Sequence, residues 1–407
     1  MKMVVRRKTR GNKVNTISSI ALCILMICVE LGNKHYFLGF KISYWGCLIF
    51  ATAVVLDVLK NRFKLFSENT HVRKFQAFML IWLTYSIMQS CVSALMGYNA
   101  SEGIILHTLN VIITVFLLAN ANSKKGILRY INTIAIMMMI CCIISFWELQ
   151  TGQHIVEITY WEKYNKLPFA IFYNQNDYCT FLCLGITLLT LGYKISDAKK
   201  TKLVYLAIST VSAYIAIETE SRASYICLIL FFVMVFWYAL SRYLLKRNVF
   251  ISSIFMAIGV LILIMFLGGV SKLLNIFDSD RLIIYSEAWD SIRKNFIFGY
   301  GPSMLAELLG HAPHNLYLQM LGDYGLGITL GFAYFTLVYF LKTAAKWKNR
   351  YYSLLSAFAV LLPIIGCSSS NIQRIRIFWM AIAICFAIAQ IDRPHKAVNN
   401  TSVACSE

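Results

Sequence analysis

Residues 103–121 read GIILHTLNVIITVFLLANA, an apolar run without a charged side chain. A helix needs about 20 mostly apolar residues to cross a bilayer, so this run is long enough to span a membrane. Similar runs recur along the chain, near 16–32, 42–59, 75–96, 103–121, 127–147, 177–193, 203–217, 223–241, 249–270, 323–341, 352–366 and 377–391. We therefore predict an all-α polytopic membrane protein with about 12 transmembrane helices.

The composition excludes a soluble globular protein. Of the 407 residues, 58% are hydrophobic and 14% are charged, against roughly 25% charged residues in an average soluble domain. The 12 cysteines lie mostly within apolar runs and lack paired metal-binding spacing, so we expect neither a metal site nor a disulfide framework. Because no linker or repeat divides the chain, we predict a single integral-membrane domain over residues 1–407.

The basic residues predict the orientation of the helices. The formal net charge is +19. If both termini are cytoplasmic and the runs alternate in direction, the cytoplasmic segments carry +22 and the remainder of the chain −3. Short cytoplasmic loops rich in Lys and Arg are what the positive-inside rule requires. The basic charge is thus explained by orientation, and we expect no nucleic-acid partner.

The long connection at 271–322 is predicted to be external, between the ninth and tenth helices, and to carry the chemistry. Residues 278–294 read DSDRLIIYSEAWDSIRK, where Asp278 or Ser279 suits a helix N-cap. The spacing of Leu282, Tyr285, Trp289 and Ile292 predicts the apolar face of a helix at the bilayer surface. A second short helix is predicted from Ser303 to Leu309, ended by Gly310.

Arg281 falls in the first turn of the predicted surface helix. Backbone N–H groups and the helix dipole favour an anion at that position, so Arg281 is a candidate diphosphate ligand. The alternative is an ion pair with Asp278 or Asp280 on a solvated face. The DxD pattern at 278–280 resembles a metal-binding motif, but helix capping explains both acids.

His314 is a candidate proton acceptor. Pro313 suits a helix start, which would place His314 in the first turn, where the dipole disfavours an imidazolium ion. The alternative is an interfacial histidine hydrogen-bonded to the backbone. His311 lacks a comparable argument, and two histidines alone do not form a zinc site.

Further polar residues lie at predicted external helix ends. Arg222 is expected either to pair with a neighbouring glutamate or to line a polar cavity. Asn176 is expected either to help cap the sixth transmembrane helix or to recognise sugar hydroxyls. Arg374 and Arg376 are expected either to attract a lipid phosphate or to anchor the last helix.

His314-Asn315, followed by nine residues and Gly325, resembles a motif of the O-antigen ligase and Wzy-type polysaccharide polymerase family. In that family the motif closes the longest external segment of a twelve-helix protein. Residues 295–301, NFIFGYG, resemble the family's N-P-L-F-G-x-G element, with Phe296 at the usual position of proline.

Three other positions carry the resemblance. Ser221-Arg222 resembles the family's S-R-G/A element. Arg281 resembles the arginine that begins the helix before a W-x-x-A-like stretch. Asn176 resembles the asparagine of a short N-x-N element.

The resemblance implies membrane-embedded, metal-independent glycosyl transfer from an undecaprenyl-diphosphate-linked glycan to a glycan acceptor, without a cofactor. It implies that Arg222 and Arg281 bind the diphosphate and that His314 positions or deprotonates the acceptor. The expected substrate-binding residues are Asn315, Asn176, Gly299, Gly301, Arg374 and Arg376. The expected location is the bacterial inner (plasma) membrane, with the site on the external face and a flippase and chain-length regulator as candidate partners.

Repeat-unit polymerisation for a surface polysaccharide is the function we favour. The first alternative is a ligase that moves a finished glycan to another acceptor. The second alternative is a twelve-helix transporter or lipid-glycan flippase. A transporter would be expected to show symmetry between its halves and polar groups at the bilayer midplane, whereas these polar residues cluster at the predicted external face.

Overall fold

The computed structural model describes residues 16–32, 35–60, 63–99, 101–156, 167–172, 174–221, 279–340 and 372–391, and separate positions within 225–236, 342–343 and 351–365. Its helices are α1 (Thr16–Leu31), α2 (Ile42–Leu59), α3 (Thr70–Leu95), α4 (Ser101–Asn120), α5 (Lys124–Thr151), α6 (Gln175–Ile195), α7 (Lys199–Glu218), α8 (Ser279–Lys294), α9 (Met304–Leu309), α10 (Leu316–Ala333) and α11 (Arg376–Ile391). A π-helical stretch, Tyr334–Tyr339, continues α10, and a 3-10 turn, Ile372–Arg374, precedes α11. The strands β1 (Tyr36–Phe37) and β2 (Phe40–Lys41) form a small antiparallel hairpin that we did not predict.

Seven of these helices are long and apolar enough to cross a membrane: α2 to α7, and α10 together with its π-helical continuation. The helices α1 and α11 are shorter apolar helices. These lengths confirm an all-α polytopic membrane protein. The predicted spans at 223–241, 249–270 and 352–366 lie wholly or largely outside the described residues, so a total of about 12 stays a prediction.

Helices of similar apolar composition divide between the centre and the periphery of the bundle. In α6, 83% of the residues in its apolar 18-residue stretch are buried within the protein, whereas the corresponding share is 22% in α3 and in α7. Every residue from Ile377 to Ala389 of α11 is also buried. The helices α6 and α11 therefore form the centre of the bundle, while α3 and α7 present apolar side chains to lipid.

The two ends of the bundle differ in chemistry. At one end, Ser18 N donates to Asp57 Oδ2 over 3.1 Å, and Lys124 pairs with Asp197. Lys125 and Arg129 of α5 lie at the same end, which we call the basic end.

At the other end, Arg376 N donates to Glu30 Oε2 over 3.1 Å, which joins the start of α11 to the end of α1. Ser221 Oγ donates to Asn176 Oδ1 over 2.7 Å, which joins the segment after α7 to the start of α6. We call this the motif end, because most of the predicted site residues lie there.

Capping residues define where the helices that reach the two ends begin and stop. Ser123 begins α5 by accepting a hydrogen bond from Gly126 N, and Gly152 ends the helix in a left-handed conformation with φ 68°. Asn174 begins α6 by accepting from Asn176 N. Capping is therefore confirmed as one role of the polar run at 174–177.

Candidate functional site

The helices α8, α9 and the start of α10 pack around a small core of their own. Ala288, Ile292 and Leu305 are its buried members. Of the predicted apolar face of α8, Ile292 lies in this core, whereas Trp289 is 43% exposed and packs edge-to-face against Phe296. Contact of this face with the bilayer surface stays a prediction. The helix turns Ala288 inward because the small side chain allows α8 to approach α9 closely.

Two predicted diphosphate ligands are described only in part or not at all. The backbone of Arg281 lies in the first turn of α8, as predicted, because that helix begins at Ser279. Its side chain lies outside the description, as does Asp278. Arg222 follows Ser221, at which the continuous description of α7 and its end stops.

The glycine-rich loop at 295–301 pairs its backbone with an interruption in α10. Tyr300 N donates to Gly322 O over 2.8 Å, and Gly301 N donates to Asp323 O over 2.7 Å. Leu326 N donates back to Phe296 O over 3.0 Å. The loop therefore satisfies backbone groups that the helix interruption would otherwise leave without partners.

Glycine is required on both sides of this pairing. Gly325 has φ 75° and ψ −179° inside α10, a conformation essentially restricted to glycine. Gly299 has φ 71°, and a Cβ there would lie 2.6 Å from Asp323 O and from Gly325 N. The loop motif and the motif that begins at His314 thus meet through their glycines and form one structural unit.

The carboxylate of Asp323 is the buried centre of this unit. It accepts from Ser303 N over 3.0 Å and from Leu305 N over 2.9 Å, at the start of α9. Gln373 Nε2 donates to the same carboxylate over 3.3 Å, and Ser303 Oγ donates to Gln373 Oε1 over 2.8 Å. Asp323 therefore holds α9 and the segment before α11 against α10.

Side chains of α3 hold the other side of the glycine-rich loop. Tyr85 Oη donates to Phe298 O over 2.6 Å, and Ser93 Oγ donates to Tyr300 O over 2.7 Å. Gln89 Nε2 also donates to Phe298 O. Because these donors sit on one transmembrane helix, the loop is fixed relative to the membrane-spanning bundle.

The predicted position of His314 in a helix was wrong. The helix α10 begins at Leu316, with Asn315 as its N-cap, and His314 precedes the cap with φ 50°. The helix dipole therefore does not act on His314 as a first-turn residue. A positive φ is uncommon for a residue other than glycine and is often found at functional sites.

The neighbours of His314 have identified partners. Asn315 Oδ1 accepts from Tyr317 N over 3.0 Å and from Leu318 N over 3.2 Å. His311 Nε2 lies 3.2 Å from Glu287 Oε2 of α8, on an exposed surface. Asn315 therefore fixes the point at which the chain enters α10, while His311 links the segment to α8.

Asn176 and Ser221 come from different predicted motifs and meet at the motif end, through the 2.7 Å hydrogen bond from Ser221 Oγ to Asn176 Oδ1. Glu220, beside Ser221, has φ 50°. This contact places the residue before Arg222 against the start of α6.

Arg374 and Arg376 differ sharply in environment. Arg374 is exposed and pairs with Glu102 of α4 at 2.9 Å. Arg376 is only 4% exposed, and its Nη1 donates to Arg374 O. Among the described residues, its Nε and Nη2 have no hydrogen-bond partner, and neither has Glu30 Oε1 nearby. Arg374 thus ties the turn before α11 to α4, and Arg376 anchors the start of α11 to α1 through its backbone N–H while its side chain keeps donors for another group.

The described residues contain no group of three or more His, Cys, Asp and Glu side chains arranged to hold a metal ion. The ten cysteines in the described ranges are free thiols, most of them buried or partly buried in the helices.

Asp323, Gln373 and the three donors on α3 were not predicted from the sequence. Nothing in the local sequence distinguishes Asp323 and Gln373 from ordinary polar residues near helix ends. The spacing of Tyr85, Gln89 and Ser93 by four residues places them on one helix face, and this pattern was the available signal.

Comparison with known proteins agrees with the motifs. Residues 207–333 match the family model described as O-antigen ligase. This range includes Arg222, Arg281 and His314. The match confirms the resemblance that the motifs predicted.

A relative is the teichuronic acid biosynthesis protein TuaE of Bacillus subtilis (strain 168). It is 21% identical over 414 residues, which cover 91% of this chain and 84% of the relative. The apolar helices and these similarities together support a membrane function connected with glycans.

Proposed function

We propose, from its similarity to the O-antigen ligase family, that the protein transfers a glycan from undecaprenyl diphosphate to a glycan acceptor. Polymerisation of repeat units for a surface polysaccharide is the reaction we favour. The similarity to a protein of teichuronic acid biosynthesis supports a role in making an envelope polysaccharide. Transfer of a finished glycan by a ligase is the second candidate, favoured by the description of the matching family.

The observation that carries the proposal is the convergence of polar groups from separate motifs at the motif end. Asn176 and Ser221 are joined by a hydrogen bond, and the buried Arg376 keeps Nε and Nη2 without partners among the described residues. A buried donor without a partner costs about 1–3 kcal/mol. The side of a guanidinium that carries Nε and one Nη binds phosphate or carboxylate in a bidentate manner. A phosphate group of the donor would satisfy both atoms.

The glycine-rich loop offers a surface for the lipid part of the donor. Ile297 and Phe298 are each 65% exposed beside Gly299, in a loop that the donors on α3 hold to the bundle. Exposed apolar side chains next to a polar site suit a substrate with a diphosphate head and a polyprenyl chain. Gly299 and Gly301 would contribute indirectly, because they let the loop pack closely against α10 and α3 and so hold Ile297 and Phe298 in place.

In the proposed reaction the acceptor hydroxyl oxygen attacks the anomeric carbon of the donor. The bond from that carbon to the diphosphate oxygen breaks, and the electron pair leaves with undecaprenyl diphosphate. Arg222 and Arg281, assisted by Arg376, would stabilise the charge that grows on the leaving group. His314 would accept the hydroxyl proton, and direct displacement would invert the anomeric configuration. Asn315 and Arg374 would orient the glycan at the edge of the site.

The proposed site faces the outside of the plasma membrane. This orientation follows from the positive-inside rule, because Lys and Arg are concentrated at the basic end. A flippase would deliver the lipid-linked glycan to this face, and a chain-length regulator is a further candidate partner. We propose that the reaction needs no metal, so chelation should leave the rate unchanged.

Reconstitution into proteoliposomes with a lipid-diphosphate oligosaccharide tests the proposal. A ladder of longer lipid-linked products is expected for polymerisation. A single transfer to a foreign acceptor would indicate a ligase instead. Movement of the substrate across the bilayer without a new glycosidic bond would contradict glycosyl transfer and indicate transport.

A further inference from the structure

A second polar site lies at the basic end, far from the motifs. A cavity of about 750 Å³ opens between α1, α5 and the connection from α6 to α7. Among the described residues, its cationic lining residues are Lys124, Lys125 and Arg129, and the one acid in the lining is Asp197, which pairs with Lys124. The cavity therefore keeps an excess of positive charge for a ligand.

The polar and apolar parts of the lining suit a lipid. Polar groups come from the cations and from Asn132 and Thr133, while Ile20, Cys23, Leu128 and Ile136 supply apolar surface. Both Ile20 and Ile136 are exposed at the periphery of the bundle. The cavity is thus continuous with the surface that contacts acyl chains.

Arg129 lies further along α5 than Lys124 and Lys125, away from the basic end and towards the middle of the bundle. It is five residues after Lys124, roughly 8 Å further along the helix axis. Its Nη1 donates to Ser19 Oγ over 2.5 Å, which fixes the guanidinium beside α1. An arginine held at this depth can meet a phosphate at the level of lipid headgroups, with Lys124 and Lys125 closer to the aqueous phase.

We propose that this cavity binds the phosphodiester headgroup of an anionic glycerophospholipid. Arg129 and Lys125 contact the phosphate oxygens, and the acyl chains lie along Ile20 and Ile136. Basic pockets between transmembrane helices at a cytoplasmic surface are sites of this kind. The bound lipid bridges α1, α5 and the loop at 196–198.

Native mass spectrometry of the full chain in detergent tests the site, with phosphatidylglycerol and phosphatidylcholine supplied in equal amounts. The wild type is expected to retain phosphatidylglycerol preferentially. Arg129→Gln and Lys125→Gln are each expected to lower this preference about fivefold, as expected for one cation near an anionic headgroup. Lys125 is exposed, so its substitution tests the site even if Arg129→Gln impairs folding.

The matched control is the double variant Lys199→Gln, Lys200→Gln, which removes two exposed cations at the same end outside the cavity lining. Its lipid preference should equal that of the wild type. Equal retention of both lipids by the wild type would overturn the proposal, and so would an equal loss in the control. Displacement of phosphatidylglycerol by millimolar inorganic phosphate would identify a site for small anions and overturn the lipid assignment.

Discussion

His314 and His311 are close in sequence but differ in what surrounds them. His311 lies on an exposed surface beside Glu287. His314 has a positive φ immediately before the Asn315 cap. The backbone at His314 is held by the start of α10, so the imidazole is presented from a fixed point, whereas His311 makes a surface contact with Glu287 of low energetic weight.

We predict that His314→Ala lowers the rate of glycosyl transfer by about 10²–10⁴-fold, because loss of a general base typically has this effect. His311→Ala is the matched control and should stay within a few-fold of the wild type. Initial rates in proteoliposomes at equal protein amounts give the comparison. Wild-type activity in His314→Ala would remove this residue from the mechanism. Arg281→Ala is likewise expected to abolish product while expression persists.

The Asn176–Ser221 contact predicts energetic coupling between two motifs. Asn176→Ala and Ser221→Ala should each reduce kcat/KM for the donor. The double variant should be less impaired than the product of the two effects, with a coupling energy of about 0.5–1.5 kcal/mol. Strictly independent effects would show that the hydrogen bond does not connect the two motifs during catalysis.

The interruption of α10 is the principal feature at the scale of the elements. The loop at 295–301 and the segment from Gly322 to Leu326 exchange backbone hydrogen bonds. Asp323 ties the start of α9 to the same place. A helix that is interrupted within its apolar length thereby supports the loop, α9 and the His314 segment together.

Gly325→Ala is expected to destabilise the protein strongly. The backbone conformation alone costs about 1–3 kcal/mol for a residue with a side chain, and the new Cβ would also collide with the backbone of Ile297 and Phe298. Gly327→Ala, two residues further along α10, meets no atom within 4 Å and is the matched control. Thermal unfolding in detergent should show a lower midpoint for Gly325→Ala only, and equal midpoints for both variants would refute the glycine pairing.

The helices were largely predictable from the sequence because apolar length and capping residues are local signals. Asp278 or Ser279 was predicted as a helix N-cap and Gly310 as a helix end, and α8 begins at Ser279 while Gly310 is the C-cap of α9. The start of α10 was not predicted correctly, because Pro313 and Asn315 both suit a position near a helix N-terminus. The hydrogen bonds that make Asn315 the cap, from Tyr317 N and Leu318 N, are seen only in the folded structure. The role of Asp323 could not be predicted, because its partners Ser303 and Gln373 are distant in sequence.

At the scale of the whole molecule, the chain separates basic charge from the candidate site. By the positive-inside rule, the lysines and arginines at the basic end predict that this end is cytoplasmic, and the motifs collect at the opposite end. The alternation that the charge pattern predicted agrees with the contacts, since Glu30 meets Arg376 at one end and Ser18 meets Asp57 at the other.

Labelling with a membrane-impermeant maleimide tests this orientation. In a background with the exposed Cys91 replaced by Ser, Glu307→Cys is expected to react in intact cells. Lys200→Cys should react only after permeabilisation. Both replaced residues are exposed, so access to the reagent is limited by the membrane. The reverse pattern would place the motif end in the cytoplasm.

The proposed reaction forms glycosidic bonds with release of the lipid diphosphate. The most direct measurement counts undecaprenyl diphosphate released and glycosidic bonds formed by the purified wild type in proteoliposomes, with His314→Ala in parallel. We predict one molecule released for each bond formed, and a loss of both products by about 10²–10⁴-fold in the variant. Disappearance of the lipid-linked glycan from one leaflet without release of undecaprenyl diphosphate would contradict the proposed reaction.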